Sequence, residues 1–321
     1  MLSLFRNNHI ITGFFVFIYG ILLLLPVFFL PTAKSLSQLG SLANWIPEEG
    51  AGANLLFLLL AFVLSFGLNQ LINRFRLGRQ STYFVAISSL LMLALFPGAL
   101  TLSPVLLANL SLLLSCYNLY RSYEQKNSVL PLSNAALFMG LSIELYLPFA
   151  FYIPAFILAW ITIRPASFKD FMVILLSGSI PAFLIGTLYY LFDQWSVFAG
   201  LHAFSNWLIQ DFSNLKEPFT LAALGASALI LLLSWANFQT LKQKTTIKEQ
   251  KFLQIIFILL FFAPLQLLTY QGIPSQLTAL AFPMALLLGL QWQAWKNSRW
   301  AELWHLLLLT IAALSQYYPL F

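Results

Sequence analysis

The stretch from Asn134 to Arg164 constrains the fold of this chain more than any other. It reads NAALFMGLSIELYLPFAFYIPAFILAWITIR, two apolar segments that meet at Glu144 to Pro148 and run into a basic turn. Each segment approaches the ~20 residues that a helix needs to cross a hydrocarbon core, and only a tight turn separates them. We therefore predict a transmembrane hairpin with Glu144 toward its outer turn, where a charge costs less than at mid-bilayer.

The composition extends this prediction to the whole chain. Hydrophobic residues make up 60% of the 321 residues and charged residues only 8%, against about 25% charged in an average soluble domain. Spans of ~20 residues with short connections leave almost no room for a soluble domain. We expect an all-α, polytopic transmembrane bundle, a single integral membrane domain over residues 1–321. The first apolar run is full length, which favours a retained helix over a cleaved signal peptide.

Eleven apolar runs can be separated along the sequence, and we interpret each as a membrane span. The fifth and sixth runs are short, which indicates a tilted or partly sunken hairpin. The runs are Ile10–Leu30, Asn54–Ile72, Thr82–Leu100, Val105–Tyr120, Leu132–Tyr146, Phe149–Ile163, Phe171–Phe192, Phe219–Phe238, Phe252–Tyr270, Leu277–Trp295 and Leu303–Tyr317.

Positive charges occur in alternate connections between these runs. One set of connections holds most of the lysines and arginines, and the other set holds only Lys34 and Lys216. The positive-inside rule then places the N-terminus in the cytoplasm and the C-terminus in the periplasm. The net charge of +6 is explained by cations that meet anionic lipid at the inner leaflet, so we expect no nucleic-acid partner.

Two outer connections, residues 31–53 and 193–218, are longer than a turn requires and are expected to carry short interfacial helices. In the second, apolar residues recur every three or four positions from Trp195 to Phe212. This spacing predicts an amphipathic helix that lies along the outer membrane surface. Such a helix either anchors the protein through its aromatic residues or roofs a cavity open to the outer leaflet, and the sequence leaves both interpretations open.

The few ionisable residues on the predicted outer face are the candidates for chemistry. Carboxylates are the natural acid or base groups there, and lysines are the natural partners of a phosphate. The candidate catalytic residues are Glu48 or Glu49 as the base, with Glu144 to position the acceptor. The candidate substrate-binding residues are Lys34, Asp193, Trp195, His202 and Lys216. A solvated loop is the simpler interpretation of Glu48 and Glu49, and an exposed polar position is the simpler one for His202.

Other motif classes are absent from the sequence. There is no phosphate-binding GxxxxGK[ST], no GxGxxG, no HExxH and no GxSxG, which argues against ATP-driven and dinucleotide chemistry. The three histidines are widely spaced, so no metal site is predicted. No cofactor is evident, although a divalent cation that bridges a carboxylate and a phosphate is compatible with this set of residues.

The features from Leu106 to Gly186 resemble the type C glycosyltransferase superfamily (GT-C). They are a helix ending in the basic turn NLYRSYEQKN, the helix entry NAALFMGLSIE, the outer turn LYLPFAFYIP, Arg164-Pro165 and a helix that bears Pro181. The opening of the chain and the YRSYEQ segment are also similar to an uncharacterised membrane-protein family of Bacteroidota. One departure is that the superfamily's acidic residue usually follows the first helix closely, whereas here the first is Glu48.

The GT-C resemblance implies a function at the outer leaflet of a bacterial inner membrane. Such enzymes take a sugar from a polyprenyl phosphate, so membrane lipid and polyprenyl phosphate are the implied partners. The alternative is a non-catalytic scaffold or assembly factor of an envelope or secretion machine, which would have envelope protein partners. A lipid or small-molecule transporter is the third hypothesis. It is weaker because the sequence shows no internal repeat and almost no mid-membrane charge.

Overall fold

The computed structural model describes a chain built almost entirely from helices. The described residues are 2–6, 9–29, 39–47, 50–78, 80–96, 99–125, 128–203, 218–242, 246–269, 271, 274–295 and 298–317. Within them the α-helices are α1 Ile10–Leu24, α2 Ala51–Phe75, α3 Phe84–Ala94, α4 Pro104–Glu124, α5 Val129–Leu145, α6 Tyr152–Ile163, α7 Phe168–Leu191, α8 Trp195–His202, α9 Pro218–Lys242, α10 Ile247–Phe262, α11 Ala281–Ala294 and α12 Ser298–Tyr317.

Five helical segments are long and apolar enough to cross a membrane, counted within the described residues and with 3-10 extensions included. They are Ile10–Phe28, Ala51–Phe75, Phe168–Leu191, Ile247–Thr269 and Pro274–Ala294. The other predicted spans coincide with helices that are shorter or more polar, including α3 and α5. The prediction of an apolar, all-helical fold is confirmed, and the count of eleven spans stays a prediction.

Helix α3 lies at the centre of the bundle. Every residue from Phe84 to Ala94 is buried, and α1, α2, α11 and α12 pack around the helix. A helix that is apolar on all sides belongs in a core, and α3 is buried by its neighbouring helices. It makes its closest approach to α11, where Ser88 Oγ donates a hydrogen bond to the Ala285 carbonyl oxygen at 2.7 Å.

The C-terminal end of α3 is satisfied by side chains of α12. Gln316 Nε2 donates to the carbonyl oxygens of Ala94 at 2.9 Å and Phe96 at 2.7 Å, and Ser315 Oγ donates to that of Leu95 at 3.3 Å. The last carbonyls of a helix have no partner within the helix, and inside an apolar bundle they must find one elsewhere. These bonds explain how a span predicted to reach Leu100 ends at Ala94.

The two halves of the predicted hairpin have different neighbours. Helix α5 ends at Leu145, Tyr146 takes an extended backbone, and a 3-10 turn over Leu147–Phe151 leads into α6. Helix α5 packs mainly against α4 and α7, whereas α6 packs mainly against α10. The turn was thus correctly located, and each half is held by its own set of helices.

Connections predicted to share a membrane face lie at the same end of the bundle. At one end Arg164 Nη1 donates to the Ser122 carbonyl oxygen at 3.1 Å, and Lys251 Nζ donates to the Ile163 carbonyl oxygen at 3.4 Å. At the other end the backbone N–H of Leu147 donates to the Leu39 carbonyl oxygen at 2.8 Å. We call these the basic end and the outer end. The grouping agrees with the predicted alternation, and the membrane face of each end stays a prediction.

The close contact between α3 and α11 predicts a sharp difference between two glycine substitutions. A Cβ at Gly289 would lie 2.8 Å from Cα and 2.9 Å from the backbone N of Val85, whereas a Cβ at Gly225 would meet nothing within 4 Å. Gly289→Ala should lower the stability by about 1–3 kcal/mol through overpacking, and Gly225→Ala should be neutral or stabilising by up to about 1 kcal/mol. Thermal unfolding in detergent measures both, and equal midpoints for the two variants would contradict this packing.

Candidate functional site

Glu144 lies in the last turn of α5, at the outer end, and its side chain is only 3% exposed. Its Oε1 is 3.2 Å from Nε2 of His202, the last residue of α8, and the His202 side chain is 30% exposed. Burial of a carboxylate is costly unless it is paired and hydrogen-bonded. The contact with His202 therefore joins a buried acid to a partly exposed base, 58 positions apart in the sequence.

The first outer connection supplies a second partner for Glu144. Ser41 Oγ donates to the other carboxylate oxygen, Oε2, and lies 3.0 Å from the Glu144 carbonyl oxygen. The loop backbone lies directly on the end of α5, since a Cβ at Gly40 would collide with the carbonyl oxygen of Leu145. Only glycine allows so close an approach at this position.

Tyr189, near the C-terminal end of α7, fixes the same loop from another side. Its hydroxyl donates to the Ser41 carbonyl oxygen at 2.7 Å. Its ring lies 5.5 Å from that of Phe198 on α8, in a small apolar cluster with Ile185. The outer connection, α5, α7 and α8 are therefore joined at one point, and we call Ser41, Glu144, Tyr189 and His202 the outer polar cluster.

His202 is held so that both ring nitrogens face acceptors. Nε2 faces the Glu144 carboxylate, and Nδ1 lies 3.0 Å from the Phe198 carbonyl oxygen. Carboxylate and carbonyl oxygens only accept, so each nitrogen is best satisfied when it carries a proton. The pKa of His202 is raised above its usual value, first by the hydrogen bond to Glu144, then by the Phe198 carbonyl and the carboxylate charge, although partial burial opposes the shift.

The remaining described candidates, Asp193 and Trp195, lie outside the outer polar cluster. Asp193 is exposed at the turn between α7 and α8, with a left-handed backbone (φ 56°). Trp195 is 53% exposed and packs on Phe198, with ring centres 5.5 Å apart. Lys34, Glu48, Glu49 and Lys216 lie outside the described residues. Of the predicted site, the structure brings together Glu144 and His202.

The amphipathic helix was predicted to be longer than α8 proves to be. It was expected from Trp195 to Phe212, but α8 ends at His202 and Ala203 takes an extended conformation (ψ 113°). Residues 204–217 are not described. The prediction also placed His202 on the polar face, whereas it follows Phe198 by one turn and packs against its ring, with centres 4.2 Å apart. His202 turns toward the protein because its partner Glu144 is buried there, and a helical wheel of α8 does not show this contact.

Ser41 and Tyr189 were missed by the sequence analysis. Tyr189 lies at the end of a predicted span, where tyrosines commonly mark the membrane surface, and this was a usable signal. Ser41 had none, because its partners Glu144 and Tyr189 are 103 and 148 positions away. Within the part of the chain that the structure describes, no group of three or more His, Cys, Asp or Glu side chains is arranged to hold a metal ion.

Comparison with models of known protein families, with curated proteins and with solved structures finds no match to this chain.

The raised pKa of His202 predicts pH-dependent docking of α8. The charged pair stabilises docking in full below the ordinary histidine pKa of about 6.5, and this contribution is lost as the pH rises through the raised pKa. Hydrogen exchange should therefore show lower protection factors for the α8 amides at alkaline pH, with those of α7 unchanged. His202→Gln should remove this pH dependence, and a wild-type α8 whose protection is constant with pH would contradict it.

Proposed function

We propose that this chain is a multi-pass protein of a bacterial inner membrane, with its outer end in the periplasm. Five segments long and apolar enough to cross a membrane support this assignment. The cations Arg74, Arg164 and Lys251 lie in or beside one alternate set of connections, and the positive-inside rule assigns that set to the cytoplasm. In this arrangement the outer polar cluster faces the periplasmic leaflet, and eleven passes put the C-terminus in the periplasm.

The function proposed for the outer polar cluster is GT-C-like transfer of a sugar from a polyprenyl phosphate to an envelope acceptor. The observation that carries it is the buried Glu144 carboxylate 3.2 Å from His202, which is partly exposed at the end of an apolar bundle. A buried carboxylate beside a histidine is a common arrangement for proton transfer. The apolar helices beside it suit a substrate whose lipid tail stays in the membrane.

In the proposed reaction Glu144 acts as the base and His202 as the cation that faces the phosphate. A lipid-linked sugar that enters beside α8 displaces His202 from Glu144. Glu144 then takes the proton of the acceptor hydroxyl as that oxygen bonds to the anomeric carbon, and the bond from this carbon to the phosphate oxygen breaks. The electron pair leaves with the polyprenyl phosphate, whose negative charge the His202 imidazolium compensates.

The other candidates keep supporting roles in this proposal. Glu48 or Glu49 is the alternative base, and Lys34 or Lys216 is the alternative cation for the phosphate. Asp193 and Trp195 lie at the start of α8, where they would contact a substrate that enters beside this helix. A divalent cation would bridge a carboxylate and the phosphate if the transfer requires one.

A specific observation supports a second candidate, the non-catalytic scaffold. Both carboxylate oxygens of Glu144 already have partners, His202 and Ser41. In this role the cluster fastens α8 and the first outer connection to the bundle and presents a fixed periplasmic surface to an envelope protein. The two candidates predict different effects on sugar transfer when the Glu144 charge is removed and the protein remains folded.

The test is to replace Glu144 with Gln and measure glycan transfer to the envelope. General acid or base catalysis contributes about 10²–10⁴-fold, so a loss of that size is expected per folded molecule, beyond any fall in the thermal midpoint that comes from loss of the charged pair. Glu249→Gln is the matched control, since Glu249 caps α10 through Thr246 at the basic end and Gln also serves in a capping box.

The carboxylates in the outer connection are tested beside Glu144. A loss of transfer in Glu48→Gln or Glu49→Gln, with Glu144→Gln active, would move the base to the first outer connection. Unchanged transfer in all three variants would contradict the enzyme proposal. If Glu144→Gln lowers transfer only in proportion to the amount of folded protein, the scaffold is the better account.

A further inference from the structure

A second charged cluster lies at the basic end and takes no part in the proposed reaction. Arg164, which follows α6, donates from Nη1 to the Ser122 carbonyl oxygen at 3.1 Å. Lys251 on α10 donates from Nζ to the Ile163 carbonyl oxygen at 3.4 Å, and the same Nζ lies 5.4 Å from the centre of the Tyr123 ring. Both cations thus contact the C-terminal end of α4, at the neighbouring residues Ser122 and Tyr123. We call Arg164 and Lys251 the basic pair.

Aromatic rings hold further cations beside the basic pair. Lys248, one turn before Lys251 on α10, has its Nζ 5.7 Å from the centre of the Phe252 ring. The guanidinium carbon of Arg74, at the end of α2, lies 5.2 Å from the centre of the Tyr117 ring. Such contacts attract a cation to the face of an aromatic ring.

The basic pair is only partly compensated by the protein. Among the described side chains, no carboxylate lies within 4 Å of Arg164 or Lys251. The two cations instead contact carbonyls at the C-terminal ends of α4 and α6, each equivalent to roughly half a negative charge. These carbonyls offset only part of the charge of the two half-buried side chains. Two partly compensated cations that contact adjacent residues of α4 suit a bound phosphate.

The surface next to the basic pair is apolar and exposed. On α6, Ile161 precedes Arg164 by three residues and Leu158 precedes Ile161 by three, so the three positions lie along one side of the helix. Ile161 is 48% exposed and Leu158 is 46% exposed. An apolar stripe that ends at a positive charge matches a phospholipid, with a chain along the stripe and a phosphate at the charge. A free phosphate or a nucleic acid would make no use of the stripe.

We propose that the basic pair binds the phosphate of an anionic membrane lipid, with an acyl chain along Leu158 and Ile161 of α6. One phosphodiester is expected, because Arg164 and Lys251 contact the adjacent residues Ser122 and Tyr123 and can share one phosphate group. A basic pocket between helices at the cytoplasmic membrane surface suits such a headgroup, and bidentate contact from Arg164 would make the bond directional.

The test compares lipid binding by the full chain in nanodiscs of phosphatidylcholine alone and of phosphatidylcholine mixed with phosphatidylglycerol. The wild type should melt at a higher temperature with phosphatidylglycerol and should retain one molecule of it in native mass spectrometry. In the double variant Arg164→Gln/Lys251→Gln both effects should be lost. Retention of phosphatidylglycerol should be at least about tenfold weaker than in the wild type, because charged hydrogen bonds to the phosphate are removed.

Lys169→Gln is the matched control, because Lys169 is an exposed cation in the first turn of α7, five residues after Arg164. It should bind phosphatidylglycerol like the wild type. Lys251→Arg should also bind like the wild type, because it keeps the positive charge, and it serves as the test if the double variant fails to fold. An equal loss in Lys169→Gln and in the double variant would overturn the proposal in favour of diffuse attraction. Equal stabilisation by inorganic phosphate in phosphatidylcholine nanodiscs, at matched ionic strength, would overturn the lipid as the source of the phosphate.

Discussion

The compensation of one buried carboxylate determines how the outer end of this protein is built. Glu144 is almost fully buried in an apolar bundle, and such a charge is tolerated only where partners surround it. Its partners come from two other segments, Ser41 in the first outer connection and His202 in α8. Tyr189 of α7 bonds to the same loop. Three segments distant in sequence thus meet at Glu144, and α7 is joined to them through Ser41.

The two ends of the bundle handle charge in different ways. At the outer end, an acid and a base neutralise each other, and within the described residues of that end only His202 can carry a positive charge. At the basic end, aromatic rings and helix C-terminal carbonyls hold the cations. Rings and carbonyls attract a cation without cancelling its charge. The charge of Glu144 is therefore compensated by side chains of the protein, whereas the contacts of Arg164 and Lys251 are with carbonyls and an aromatic ring.

Local patterns in the sequence predicted the parts of the fold that local physics decides. The turn at Glu144 to Pro148 was located because an apolar run is interrupted by a charge and a proline. The same reasoning predicted too long a span after Thr82, because the end of α3 is satisfied by Gln316, which is more than 200 positions away. Apolar runs show where helices form, but not which distant side chains complete their ends.

The candidate site was only partly predictable for the same reason. Glu144 was predicted as a catalytic candidate because it is an isolated charge in an apolar run, and the structure shows that His202 is its partner. The identity of that partner depends on tertiary packing: His202 reaches Glu144 because Phe198, one turn earlier, packs against Tyr189. No pattern within α8 contains this information. Four of the eight predicted site residues, Lys34, Glu48, Glu49 and Lys216, lie outside the described residues.

The central claim, that Glu144 and His202 interact directly, is tested most directly by a double-mutant cycle on stability. Unfolding free energies would be measured for the wild type, Glu144→Ala, His202→Ala and the double variant at a pH where His202 is charged. Residues in contact typically show a coupling energy of about 0.5–3 kcal/mol, and we expect a value in this range that shrinks at alkaline pH. Effects that add within about 0.3 kcal/mol at both pH values would contradict the account.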